Sequence, residues 1–197
     1  MPKPKWNLNT IYISERLQES LRPISRCAMT TVVAPMGYGK TTAVNWYLEE
    51  RAKAETLKMI RISVYSDNLA IFWKSVQEAF ARAGFDILRN YPCPTDDMRA
   101  SLFLCMLANR LPSNVHLIVA GRDRFLPAAE AVRLGAKVYQ IGTEQLRLNH
   151  TELAVYAHRC GTELSDAQVE SLLYSSEGWF SAVYLNLRTL SGRGVLP

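Results

Sequence analysis

Two periodicities divide this chain. Up to residue 148, short apolar or alternating runs are separated by stretches with apolar residues every three or four positions; beyond it only the second pattern remains. The strand-like runs are Thr30–Val33, Lys58–Tyr65, Val115–Ala120 and Lys137–Ile141. The second of these alternates, whereas Val115–Ala120 is almost continuously apolar, as a buried parallel strand should be. Helical spacing marks Glu15–Leu21, Ala43–Ala54, Ala70–Arg82, Met98–Leu111 and Pro127–Leu134, then Leu153–Arg159, Val169–Ser175 and Phe180–Leu190. Strands alternating with helices predict an α/β fold: a parallel sheet covered by helices on both faces. The helix-only tail predicts a small all-helical subdomain, so the chain divides into residues 1–148 and 149–197.

Helix boundaries are signalled by chemistry as well as by period. Ser14 is placed to cap the first helix, Asp67 or Asn68 the one carrying Phe72, Trp73, Val76 and Phe80, and Gly84 to end it. Asn149-x-x-Glu152 and Ser165-x-x-Gln168 are capping-box patterns. Gly178-Trp179 separates the last two helices, and residues 85–98 read as a loop. Met98–Leu111 is unusual because Leu102 to Leu107 are apolar around the whole helix. That pattern suggests two helices joined near residues 100–104, where a strand-bearing segment would be missing.

The richest chemistry lies at residues 29–42, MTTVVAPMGYGKTT. A β-branched run leads into a turn with Gly37 and Gly39, then Lys40, Thr41, Thr42 and a helix. This is the order of a phosphate-binding P-loop. Glycines let the backbone of Pro35, Met36, Gly37, Tyr38 and Gly39 curl so that successive N–H groups share one concavity. The helix start adds a partial positive charge. Lys40 would reach the β- and γ-phosphates, Thr41 would offer its hydroxyl to Mg²⁺, and Thr42 completes the turn. The motif calls for glycine at position 34; Ala34 stands there, and Gly37 partly compensates.

Composition narrows the alternatives. With 197 residues, 48% hydrophobic and 21% charged, the chain can bury a core. No apolar run nears the roughly 20 residues that span a bilayer, and the basic N-terminus lacks a signal peptide's apolar stretch, so a cytoplasmic location is the expectation. Cys27, Cys93, Cys105 and Cys160 are scattered, and His116, His150 and His158 stand alone, which argues against a zinc site. The net charge of +5 is spread along the chain without a basic block, so direct nucleic-acid binding is not expected.

Residues 34–42 resemble the P-loop of the STAND signal-transduction ATPases, and more narrowly that of the ATPase domain of large LuxR-type transcriptional regulators, the MalT-like group. Ser66-Asp67-Asn68 with Phe72-Trp73, Val115 to Arg122, Ile141-Gly-x-x-Gln145-Leu146-x-Leu148 with Glu152, and Glu177-Gly178-Trp179 extend the likeness over most of residues 12–190. The resemblance implies a switch holding ATP or ADP with Mg²⁺. Its partners would be the sensor repeats and DNA-binding domain of a longer regulator, with self-association in the ATP state. It implies a γ-phosphate-sensing role for Arg122 and a lid contact for Gly178-Trp179.

One part of the family's pattern is missing. An apolar strand ending in an acidic pair should lie between the Phe72-Trp73 helix and Val115, and none is visible. Asp96-Asp97 follow Pro92-Cys-Pro-Thr, a poor central strand. No catalytic residue is therefore assigned, and hydrolysis would be slow at most. Three readings stay open: a regulatory switch, a small P-loop kinase or free-standing ATPase, and a decayed P-loop interaction domain.

Overall fold

A computed structural model describes residues 11–63, 68–86, 88–91, 94 and 99–193, with side chains to residue 190. Asp96, Asp97 and the lead-in at 1–10 lie outside the described residues. The elements are α1 (Glu15–Leu21), a 3₁₀ turn (Arg22–Arg26), β1 (Met29–Val33), α2 (Lys40–Ala54), α3 (Leu69–Arg82), α4 (Ala100–Arg110), β2 (Leu117–Gly121), α5 (Ala128–Leu134), β3 (Val138–Ile141), α6 (Thr143–Leu146), α7 (His150–Arg159), α8 (Asp166–Ser176) and α9 (Phe180–Arg193).

Among the described residues, the fold is mixed α/β around a three-stranded sheet in the order β2-β1-β3. Both pairings are parallel, with Met29 opposite Leu117 and Val138. Because side chains alternate along a strand, β1 divides between two cores. Val32 joins Leu17, Leu21, Ala43, Tyr47 and Ile141 on the face covered by α1 and α2. Met29 joins Leu104, Cys105, Ala108 and Leu134 on the face covered by α4 and α5. Helices thus cover both faces, as the alternating pattern predicts.

One sequence reading is corrected. The run at 58–65 is not a ladder strand over its described residues, 58–63. Its alternation survives as exposure, with Ile60 and Ile62 half-buried and their neighbours exposed. Side chains tie it elsewhere: Lys58 donates to the Ala83 carbonyl and lies over the Phe85 ring, and Arg61 donates to Asn45. Residues 100–104 belong to one unbroken helix, α4. Most of its apolar residues are buried on two sides, while Leu102 stays exposed. Leu104, Cys105 and Ala108 face the sheet, whereas Phe103 and Leu107 pack on Trp73 and Val76 of α3.

The helical tail forms its own core from Leu148, Leu153, Tyr156, Val169, Leu172, Val183 and Leu187. Both predicted capping boxes form, at Asn149/Glu152 and Ser165/Gln168. Arg16 of α1 joins this core to the sheet. Its fork meets both Glu152 oxygens at 2.9 Å and also donates to the carbonyls of Glu144 and Arg147.

Burial alone would raise the Glu152 pKa, but hydrogen bonds from Arg16, Ser14 and the Asn149 amide together hold it below its ordinary value of 4.5. The folded state therefore gains stability that is full above that value and is lost as pH falls through the depressed one. Glu152→Ala should destabilise the protein by about 2–4 kcal/mol at neutral pH, since it strands part of the Arg16 fork and removes half a cap. Urea unfolding at pH 7 and pH 3.5 checks this: the gap between native protein and variant should shrink at the lower pH.

Candidate functional site

The parallel sheet sends the C-terminal ends of β1, β2 and β3 to one edge, where open α/β sheets hold ligands. β1 ends at the loop. Its neighbour β2 continues it in register, with the Ala34 amide donating to the Gly121 carbonyl. Ala34 is buried in the α1/α2 core, which explains why a methyl group is accommodated where the motif expects glycine.

Gly37 and Gly39 take φ of +87° and +75°, the left-handed region that favours glycine. They turn the chain so that Gly39 stands at the N-cap of α2, with no side chain capping the helix. Among the described residues, no amide from Gly37 to Thr42 makes a short, well-aligned hydrogen bond, although Tyr38 closes a turn at 36–37 toward Pro35. The first-turn donors of α2, with those of the loop before it, are open to an acceptor. Thr41 and Thr42 are exposed on that turn.

Lys40 folds back over the loop, and its ammonium donates to the carbonyls of Ala34 at 2.6 Å and Pro35 at 2.8 Å. A lysine carries three donors, so one remains for a ligand. Its pKa is lowered, first by burial and then by the charge of Arg122. Arg122 follows β2 directly, and its guanidinium lies 4.0 Å from the Met36 sulfur. Two cations and a row of amides thus converge at the loop, an arrangement that calls for an anion.

The third side of the site is the start of α9. The Trp179 indole N–H donates to the Met36 carbonyl at 3.0 Å. Both the amide and the hydroxyl of Ser181 donate to the Gly37 carbonyl, at 3.2 and 3.1 Å. The Tyr38 and Trp179 rings stack with centroids 6.4 Å apart. Gly37 has to be glycine here, because a Cβ would lie 2.5 Å from Ser181 Oγ and from Trp179 Nε1.

Every loop residue singled out from sequence, Pro35 to Thr42, is therefore gathered with Arg122 and Trp179. Sequence reasoning missed Ser181 and Arg16, since no local pattern marks them. The donors suit a nucleotide's phosphates. For Mg²⁺ the site offers the Thr41 hydroxyl, and the remaining ligands would come from phosphate oxygens and water. Among the described residues no group of three or more His, Cys, Asp or Glu could hold a metal on its own. The described cysteines, Cys27, Cys105 and Cys160, are free thiols. No described helix is long and apolar enough to cross a membrane. No protein-family model matches the chain, and no curated protein matches it significantly.

Proposed function

We propose that this chain is a nucleotide-controlled switch module, binding ATP or ADP with Mg²⁺ at the loop between β1 and α2. The observation that carries the reading is the run of amides from Gly37 to Thr42, none of them in a short hydrogen bond to a described residue, joined by the Lys40 ammonium at the bare start of a 15-residue helix. Arg122 lies beside the loop, near Met36 and Lys40, and would meet a γ-phosphate that ADP lacks, so ATP and ADP would be held differently. A difference of that kind is what a switch requires. The helical subdomain touches the same loop and is the element positioned to respond. The sequence resemblance supports placing such a module in a bacterial transcriptional regulator, with inducer sensing and DNA binding in other parts of a longer chain.

Calorimetric titration of the whole chain with Mg-ATP, Mg-ADP and adenosine tests the reading. Both nucleotides should bind at micromolar Kd or tighter, and adenosine at least about 100-fold more weakly, because charge-assisted phosphate contacts supply most of the affinity. Equal affinity for adenosine would place the site elsewhere. No binding by any of the three would favour the decayed interaction domain.

A further inference from the structure

We infer that Trp179 and Ser181 are positioning residues that set the phosphate seat from behind, making nucleotide affinity depend on the docking of the helical subdomain. The inference rests on the nucleotide reading above and names the regulation of that site.

The carbonyl of one residue and the amide of the next belong to a single rigid plane, and in a trans peptide they point in opposite directions. No described peptide bond is cis. The Met36 carbonyl is held by the Trp179 indole, and that plane also carries the Gly37 amide. The Gly37 carbonyl is held twice by Ser181, and that plane carries the Tyr38 amide. Fixing both carbonyls toward α9 therefore aims both amides away from it. The Gly37 amide donates to no described residue and is left for the seat, while the Tyr38 amide closes the turn at 36–37 toward Pro35 without a short hydrogen bond, so a ligand can still draw on it. Accepting hydrogen bonds at the carbonyl also polarises the peptide, which strengthens its amide as a donor.

The clamp is itself held rigidly. Gly178, at φ +73°, receives the Leu148 amide on its carbonyl at 2.9 Å, and Leu148 belongs to the core of the helical subdomain. The Trp179 amide donates to Ser176, and the Val183 amide donates back to Trp179. Residues 178–181 thus transmit the position of α7–α9 to two peptide planes of the loop. By linkage, a ligand that gains from aimed amides tightens the subdomain's grip by the same factor.

The test measures Mg-ADP affinity by calorimetry, together with the melting midpoint of the nucleotide-free protein. Trp179→Phe keeps a ring against Tyr38 but removes the indole N–H. Ser181→Ala removes the hydroxyl and keeps the main-chain donor. Each should weaken binding about 3- to 10-fold, the range of one net hydrogen bond, and the double variant about 10- to 50-fold. Ser181→Thr should bind within about twofold of native, a rescue that general loosening of the fold would not produce. Should the double variant fail to fold, the single variants still decide, because Trp179 is 40% exposed and its exchange for Phe is mild. Native-like affinity in the folded variants would overturn the inference and leave the nucleotide reading standing. Absence of binding by the native chain would overturn both.

Discussion

Gly178→Ala is expected to cost about 3–5 kcal/mol of stability, through left-handed strain together with overpacking. At φ +73° an alanine is already strained, and its Cβ would lie 2.2 Å from the Leu148 carbonyl oxygen and 3.1 Å from the Leu148 nitrogen. Those are backbone atoms, which cannot rotate aside as a side chain could. Relief requires Leu148 to move, and Leu148 connects α6 to α7 and donates its amide to Gly178. The helical subdomain should loosen first, losing near-ultraviolet signal from Tyr156 and Trp179. Gly39→Ala is the natural control. Its φ of +75° is similar, but nothing lies within 4 Å of the added carbon. Its stability cost should be only about 1–2 kcal/mol, the left-handed penalty alone. Urea denaturation of the two variants measures the difference directly, and equal costs would mean that the Leu148 contact is not as tight as described.

Lys40→Ala is expected to remove nucleotide affinity by about 100-fold or more while leaving the fold standing. The ammonium now bridges two loop carbonyls and faces Arg122, and both burial and that like charge disfavour its protonated form. An incoming phosphate would offset both costs, so the residue's contribution appears on binding rather than on folding. Losing its two carbonyl contacts at a half-exposed site should lower stability by no more than about 1–2 kcal/mol. Calorimetry with Mg-ADP, alongside a thermal melt, separates the two quantities. A loss of less than tenfold in a well-folded variant would show that the lysine is a structural brace for the loop.

The parts legible from sequence are those whose causes are local. Ser14, Asn149 and Ser165 cap the helices they precede because the acceptor and its amide lie three residues apart. Asn68 does the same for α3. The turn with Gly37 and Gly39 is equally local, since positive φ is a property of single residues. Arg122 is marked in the sequence only by the family resemblance, and it is the β1–β2 register, with Val33 opposite Gly121, that carries it beside Ala34. What stayed hidden depends on partners far along the chain. Arg16 meets Glu152 across 136 residues, and Ser181 meets Gly37 across 144. Nothing in the neighbourhood of either serine or arginine announces such a pairing. The reading of 58–65 as a strand failed over 58–63 because alternation records which side chains are covered, not whether a neighbouring strand is there to bond. In α4, sequence does not reveal that a second helix, α3, packs on Phe103 and Leu107 while Leu104, Cys105 and Ala108 face the sheet.

The switch reading stands on an anion seat formed by the main-chain amides from Gly37 to Thr42 with Lys40. A two-dimensional amide NMR spectrum of the native chain, recorded with and without saturating Mg-ADP, addresses it most directly. The resonances of Gly37, Tyr38, Gly39, Lys40 and Thr41 should show the largest shifts and the strongest gain in protection from exchange. If nucleotide saturates the protein while these amides stay in place and others move, the seat lies elsewhere and the account is wrong.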